Sequence, residues 1–117
     1  MKTTVTIWHN PRCGKSRDAL KLLEAEGIDP EIVRYLDDAP SEADIRRVLG
    51  MLGIGARDLM RTKEALYREL GLGKVTDEDA LIRAMAEHPK LIERPIVIKD
   101  GKAVIGRPPE KVLSLLA

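Results

Sequence analysis

Within the first 36 residues, the hydrophobic pattern changes from a period of two to a helical period and back. Val5 and Ile7 alternate with polar neighbours, which is typical of a half-buried strand. The leucine-bearing segment Ala19–Ala25 then ends before Gly27, a residue suited to a helix C-terminus. Ile32–Leu36 is a second apolar run of strand length. This order predicts two parallel strands joined by a right-handed helical crossover.

The C-terminal third returns to strand patterning. Pro95–Lys99 and Lys102–Ile105 flank the dipeptide Asp100-Gly101, which is a strong signal for a two-residue hairpin turn. Two prolines at 108 and 109 then lead into a last apolar segment, at 112–116, that we expect to be a helix.

The segment between these two parts is helical in pattern. Ser41 and Asp44 form an acidic variant of the capping box, and Gly53 ends the apolar stripe that follows them. We therefore expect one domain over 1–117, with a helical insertion at about 41–89. The fold class predicted by the order βαβ, helical insertion, ββα is α/β, a thioredoxin-like mixed four-stranded sheet.

Composition excludes several classes of protein. Lys and Arg number 20 against 19 Asp and Glu, a net charge of +1, which argues against a nucleic-acid binder. No segment is long and apolar enough for a membrane helix, and the N-terminus does not resemble a signal peptide. With a single cysteine there is no disulfide framework, so we expect a cytoplasmic protein without membrane association. We also expect a monomer, since no apolar stripe is left to form an interface.

The single cysteine, Cys13, follows the first strand and precedes the first helix. Basic side chains at 12, 15 and 17 favour an exposed loop over a buried, inert thiol. The free N–H groups of a helix that begins near Lys15 or Ser16 would stabilise a thiolate. They also suit an oxyanion, which Gly14 would allow to approach closely. Cys13 is therefore the candidate nucleophile.

Two other sites are disfavoured by the residues present. The Cys-x5-Arg loop of tyrosine phosphatases would need arginine at position 19, which is Ala19. One cysteine and two histidines cannot form a tetrahedral zinc site without other ligands, so we expect no metal. His9, four residues before Cys13, is either a structural strand-end residue or an imidazolium that supports the thiolate.

Three arginines stand in constrained positions. Arg94 precedes Pro95 at the start of an apolar strand, Arg107 lies between Gly106 and a proline, and Arg61 lies in the helical insertion. Sequence patterns alone do not bring them to Cys13. In a thioredoxin-like sheet, however, the loop before the third strand lies beside the start of the nucleophile's helix.

The chain resembles the ArsC family of arsenate reductases, of the type coupled to glutathione and glutaredoxin, and in particular its short bacterial members. The resemblance runs nearly end to end and is carried by these segments: His9–Cys13, Ser16-Arg17, Leu59–Arg61, Glu93–Val97 and Gly106–Pro108.

The resemblance implies a function and a set of site residues. Cys13 would be the nucleophile, His9 would favour its thiolate, and Arg61, Arg94 and Arg107 would bind the oxyanion. Arsenate would be reduced to arsenite through a Cys13–arsenate intermediate, with glutathione as co-substrate, glutaredoxin as partner and no tightly bound cofactor.

Two alternatives remain open. A glutathione-dependent thiol/disulfide reductase would also use a single activated cysteine. An Spx-like regulator that binds RNA polymerase would share the fold, but a disulfide switch is unavailable because position 16, where its second cysteine would stand, is Ser16.

Overall fold

The computed structural model describes residues 4–116. The chain divides into two compact units, one of Met1–Asp38 with Arg94–Ala117 and the other of Ala39–Glu93. The expectation of a single domain over 1–117 stays a prediction.

The first unit contains a four-stranded mixed sheet. Its strands are β1 (Val5–Trp8), β2 (Glu31–Val33), β3 (Ile96–Lys99) and β4 (Lys102–Ile105), in the order β2-β1-β3-β4. β1 is parallel to β2 and antiparallel to β3, and β3 is antiparallel to β4. The predicted fold class, an α/β thioredoxin-like mixed sheet, is confirmed.

The hairpin turn between β3 and β4 is the one that its sequence predicts. Asp100 and Gly101 both adopt positive φ angles, 53° and 72°. Such a turn matches the right-handed twist of the strands that it joins, and it explains the preference for Asp-Gly at this point.

Helix α1 (Gly14–Ala25) connects β1 and β2 and packs on the sheet. Ala19 and Leu23 of the helix are fully buried, and they belong to one core with residues from β1, β3 and the C-terminal segment: Val5, Ile7, Val97 and Val112. Burying a leucine side chain stabilises a fold by roughly 1.5–3 kcal/mol, so this contact fixes the position of the helix.

Two elements of this unit differ from the predicted ones. β2 ends at Val33 instead of Leu36, because the amides of Asp37 and Asp38 both donate to the carbonyl of Arg34 and turn the chain. The last helix, Pro109–Leu115, is a 3-10 helix. Its Lys111 amide donates three residues back to Pro108, and the Ser114 hydroxyl donates to the Lys111 carbonyl.

The second unit is helical. It contains α2 (Glu42–Leu52), α3 (Ala56–Leu59), α4 (Ala65–Glu69) and α5 (Glu78–Glu87), with 3-10 turns at Leu72–Lys74 and Pro89–Leu91. The predicted capping box of α2 is confirmed: Ser41 and Asp44 exchange side chain-to-backbone hydrogen bonds of 3.1 Å each. The N-cap of α5 is Asp77, whose carboxylate accepts a hydrogen bond from the Asp79 amide.

No helix among residues 4–116 has the length and apolar character needed to cross a membrane.

Gly106 provides a test of the packing beside β4. A Cβ atom there would lie 2.9 Å from Pro95 Cγ and 3.1 Å from Val112 Cγ1. We predict that Gly106→Ala lowers the free energy of unfolding by about 1–3 kcal/mol, as overpacking of a core typically does. Urea unfolding of purified protein would measure it.

Gly50→Ala is the matched control. Gly50 lies inside α2, and a Cβ there would meet no atom within 4 Å. This variant should raise the free energy of unfolding by about 0.5–1 kcal/mol through helix propensity. Equal effects of the two substitutions would contradict the packing argument.

Candidate active site

The strand register brings three chain segments to one edge of the sheet. Trp8, the last residue of β1, pairs with Ile96, the first residue of β3. Ile96 also pairs with Ile105, the last residue of β4. The loop after β1, the residues before β3 and the residues after β4 therefore all begin at this edge. They contain Cys13, Arg94 and Arg107 respectively.

Cys13 is the N-cap residue of α1. Its backbone is extended, with φ −95° and ψ 122°, and its side chain is partly exposed. The Cys13 amide donates to the Asn10 carbonyl at 3.0 Å, and the Cys13 carbonyl accepts from the Arg17 amide at 3.0 Å. Because the first amides of a helix have no partner within it, the N–H groups of this turn are available to the sulfur.

The pKa of the Cys13 thiol is lowered overall. Burial acts most strongly and raises the pKa, but it is outweighed by several effects that stabilise the thiolate. These are hydrogen bonds from the backbone amides of Ser16 and Lys15, and the charge and side-chain hydrogen bond of Arg94. A thiolate is the nucleophilic form of cysteine, so the environment prepares Cys13 for attack.

Arg94 and Arg107 lie close together in the first unit. Each is followed by a proline with a cis peptide bond. Arg107 Nη1 donates to the Arg94 carbonyl at 3.4 Å, and the Gly106 amide donates to the Pro95 carbonyl at 2.8 Å. The structure therefore brings Arg94 to Cys13 and links Arg107 to the backbone of Arg94. Their predicted role in binding an oxyanion stays a prediction.

His9 is buried, and its side chain contacts the buried Ser16. Its Nδ1 lies 2.7 Å from Ser16 Oγ, and that oxygen also accepts the Asn10 amide at 3.0 Å. Burial, followed by the positive charges of Arg34 and Arg17, lowers the pKa of His9. The neutral ring is therefore favoured at neutral pH, which disfavours support of the thiolate by an imidazolium.

His9 is nevertheless linked to the Cys13 thiolate through Ser16. Ser16 is fully buried, and its backbone amide is one of the groups that lower the pKa of Cys13. The sequence indicated both residues but not the contact between them, because a separation of seven residues across a loop has no recognisable pattern. The predicted thiolate-supporting role of His9 stays a prediction.

Arg17 and Arg34 were not among the predicted site residues. Arg17 Nη1 donates to the Pro11 carbonyl at 2.9 Å and so braces the loop that carries Cys13. Arg34 follows β2 and acts on His9 through its charge. The role of Arg17 could have been suspected from its position next to Ser16. That of Arg34 could not, because Arg34 comes near His9 only through the pairing of β2 with β1.

Arg61 lies in the second unit. Its amide donates to the Leu91 carbonyl at 2.7 Å, next to an isolated bridge between Met60 and Ile92. Its guanidinium Nη1 lies 3.3 Å from Glu64 Oε2. These contacts lie within one unit, so its predicted part in an oxyanion site stays a prediction.

Among residues 4–116 there is no group of three His, Cys, Asp or Glu side chains arranged to hold a metal ion. The chemistry of the first unit lies instead in a nucleophilic sulfur beside cationic and N–H donors. This arrangement can bind an anionic electrophile and attack it.

Comparison with known proteins identifies close relatives. The sequence profile of the ArsC family matches residues 8–115. The chain is 52% identical over 118 residues to the uncharacterized protein YfgD of Escherichia coli K12, covering 99% of each chain. It is 51% identical over 114 residues to an arsenate reductase of Neisseria meningitidis, covering 96% of this chain and 97% of the relative.

A solved structure agrees with these sequence matches. The arsenate reductase from Vibrio cholerae superposes with a TM-score of 0.95 at 51% sequence identity. The superposition covers 98% of this chain and 99% of that one. The likeness therefore extends over nearly the whole chain and is not limited to the Cys13 loop.

The lowered pKa of Cys13 leads to a testable pH dependence. Alkylation by iodoacetamide should follow the thiolate fraction, with a midpoint at lower pH than for N-acetylcysteine. Arg94→Gln should move the midpoint upward, because it removes a charge and a hydrogen bond that stabilise the thiolate. Mass spectrometry of the quenched protein across a pH series would measure both.

Arg12→Gln is the control for this experiment. Arg12 is an exposed arginine of the same loop, and the substitution removes the same charge. A midpoint that shifts equally in the two variants would mean that net charge alone, and not the contact with Arg94, lowers the pKa of Cys13.

Proposed function

The chain belongs to the ArsC family, and from this premise we propose that it is a cytoplasmic arsenate reductase. The observation that carries the proposal is the lowered pKa of Cys13, a lone thiol between the amides of α1 and the guanidinium of Arg94. Such a site attracts a tetrahedral oxyanion and presents a nucleophile to it. Relatives about 50% identical over nearly the full chain bear the name arsenate reductase.

The first step of the proposed reaction is substitution at arsenic. The Cys13 thiolate donates its electron pair to As(V), forming an S–As bond, while one arsenate oxygen takes up protons and leaves as water. Arsenic keeps its oxidation state in this step. Arg94 and Arg107 neutralise the remaining oxygens, and Arg61 supplies a third guanidinium.

The electrons come from external thiols, because Cys13 is the only cysteine of the chain. Glutathione displaces a second oxygen as water and becomes bound through sulfur to arsenic. A glutaredoxin thiolate then attacks the glutathione sulfur, and the electron pair of that S–As bond passes to arsenic, which becomes As(III). Hydrolysis of the remaining S–As bond gives arsenite and restores the Cys13 thiol. Another glutathione reduces the glutaredoxin mixed disulfide. No tightly bound cofactor is needed, and a monomer suffices.

A second candidate function rests on the same cysteine. A thiolate of lowered pKa also attacks disulfides, so Cys13 would serve a glutathione-dependent thiol/disulfide reductase equally well. The guanidinium of Arg94 beside Cys13, with Arg107 hydrogen-bonded to the Arg94 backbone, supports arsenate over this alternative. An Spx-like partner of RNA polymerase is disfavoured because Ser16 stands where a redox switch would need cysteine.

A coupled assay tests the proposal. Purified protein is mixed with glutathione, glutaredoxin, glutathione reductase and NADPH, and NADPH oxidation is followed with and without arsenate. We predict arsenate-dependent oxidation that falls to background in Cys13→Ser. Turnover of a glutathionylated disulfide without any dependence on arsenate would favour the second candidate. Capture of RNA polymerase by a catalytically inert protein would favour the third.

Arg107 provides a prediction about binding. Arg107→Gln should raise the KM for arsenate by roughly 10–100-fold, the range that follows from losing a hydrogen bond to a charged group. Arg83→Gln, on the exposed side of α5, is the matched control and should leave the KM unchanged. An unchanged KM in Arg107→Gln would remove Arg107 from the oxyanion site.

A further inference from the structure

Glu64 forms an ion pair with Arg61 that is largely buried. Its Oε2 lies 3.3 Å from Arg61 Nη1, and the two side chains are 20% and 27% exposed. The pairs Arg46–Asp79 and Arg47–Asp44 are far more open, with side chains 44–62% exposed. Solvent therefore screens the charge of Glu64 less than it screens the other acidic partners.

The backbone holds Glu64 beside Arg61. The Glu64 amide donates to the Arg61 carbonyl at 3.0 Å, and the Arg61 amide donates to Leu91 at 2.7 Å. Lys90 completes the cluster: its carbonyl accepts Arg61 Nη1 at 3.4 Å, and its Nζ lies 3.7 Å from Glu64 Oε1. Glu64 is therefore a fixed neighbour of the guanidinium.

The Arg61 guanidinium still has N–H donors that could bind a ligand. Within residues 4–116 the partners of the Arg61 guanidinium contact only Nη1, which leaves Nη2 and Nε for a ligand. An oxyanion bound there and the Glu64 carboxylate would contact the same guanidinium, each through different nitrogen atoms. The two negative groups would then share the same positive charge and repel one another.

We propose that Glu64 is a specificity-determining residue that weakens oxyanion binding at Arg61 and does so more for dianions than for monoanions. The inference rests on the proposed function, in which Arg61 binds the oxyanion. Its physical reason is Coulomb's law: the repulsion is proportional to the charge of the ligand. Glu64 thus sets how much negative charge the site accepts.

The test compares Glu64→Gln with wild-type protein by calorimetric titration of sulfate, a dianion, and methanesulfonate, a monoanion. Glu64→Gln should tighten sulfate binding about fivefold, the upper value typical of a partly exposed ion pair. Methanesulfonate should gain only about twofold, because halving the charge halves the repulsion energy. The KM for arsenate should fall with little change in kcat.

Glu69→Gln is the matched control. Glu69 ends α4, the helix that begins directly after Glu64. It is exposed, and its substitution removes the same charge. It should leave both affinities within about a factor of 1.5 of wild type, as expected for an exposed, screened charge. Equal tightening of sulfate binding in the two variants would mean that net charge, and not the position of Glu64, is responsible. Unchanged or weaker sulfate binding in Glu64→Gln would overturn the inference. Thermal unfolding of each variant checks that the fold is retained.

Arg61→Gln separates this inference from the proposed function. If Arg61→Gln weakens sulfate binding but Glu64→Gln does not strengthen it, the role of Glu64 is wrong and the oxyanion site stands. If sulfate binding is absent in wild type or indifferent to Arg61, the inference fails. Arsenate-dependent NADPH oxidation then decides separately whether the protein is an arsenate reductase.

Discussion

The burial of one face of α1 against the sheet determines where the reactive sulfur lies. Ala19 and Leu23 are fully buried against Ile7 and Val97, and these contacts fix the helix axis relative to β1 and β3. The first turn of the helix is fixed with it, so the amides of Lys15 and Ser16 stay directed at Cys13. The packing of Ala19 and Leu23 thus holds the N–H groups near Cys13 in place before any ligand arrives. Binding an anion there requires little further ordering.

Burial is the largest influence on the pKa of both His9 and Cys13, and positive charge from nearby arginines adds to it at His9 and opposes it at Cys13. Positive charge stabilises an anion and destabilises a second cation, so it lowers the pKa of a thiol and of an imidazole alike. Burial acts in opposite directions on the two: it raises the pKa of Cys13 and lowers that of His9. The combined result is a lowered pKa for both residues, which favours the thiolate of Cys13 and the neutral ring of His9. Amides and a guanidinium, and not a protonated His9, carry the stabilisation of the sulfur.

The elements predicted correctly are those specified by local chemistry. The Asp100-Gly101 turn and the Ser41 capping box each depend on side chains within a few residues, so their patterns are visible in the sequence. The end of β2 and the contact of His9 with Ser16 depend on neighbours that only the folded chain supplies. The same holds for the site: Cys13 could be identified from its flanking residues, whereas the approach of Arg94 needed the register of β1 with β3. The pairing of Arg61 with Glu64 has helical spacing, but its burial could not be predicted from that spacing.

The contact between Arg94 and Cys13 also bears on the order of events in the proposed reaction. Before substrate arrives, the guanidinium stabilises the thiolate, which holds the nucleophile ready but lowers its energy. An incoming oxyanion interacts with the same guanidinium, so Arg94 stabilises the thiolate less once the substrate is bound. Forming the S–As bond then removes the negative charge from sulfur, so Arg94 no longer shares its charge between the sulfur and the arsenate oxygens. Arg94 therefore acts twice in the proposed reaction: it first prepares the nucleophile and then binds the oxygens of the covalent intermediate.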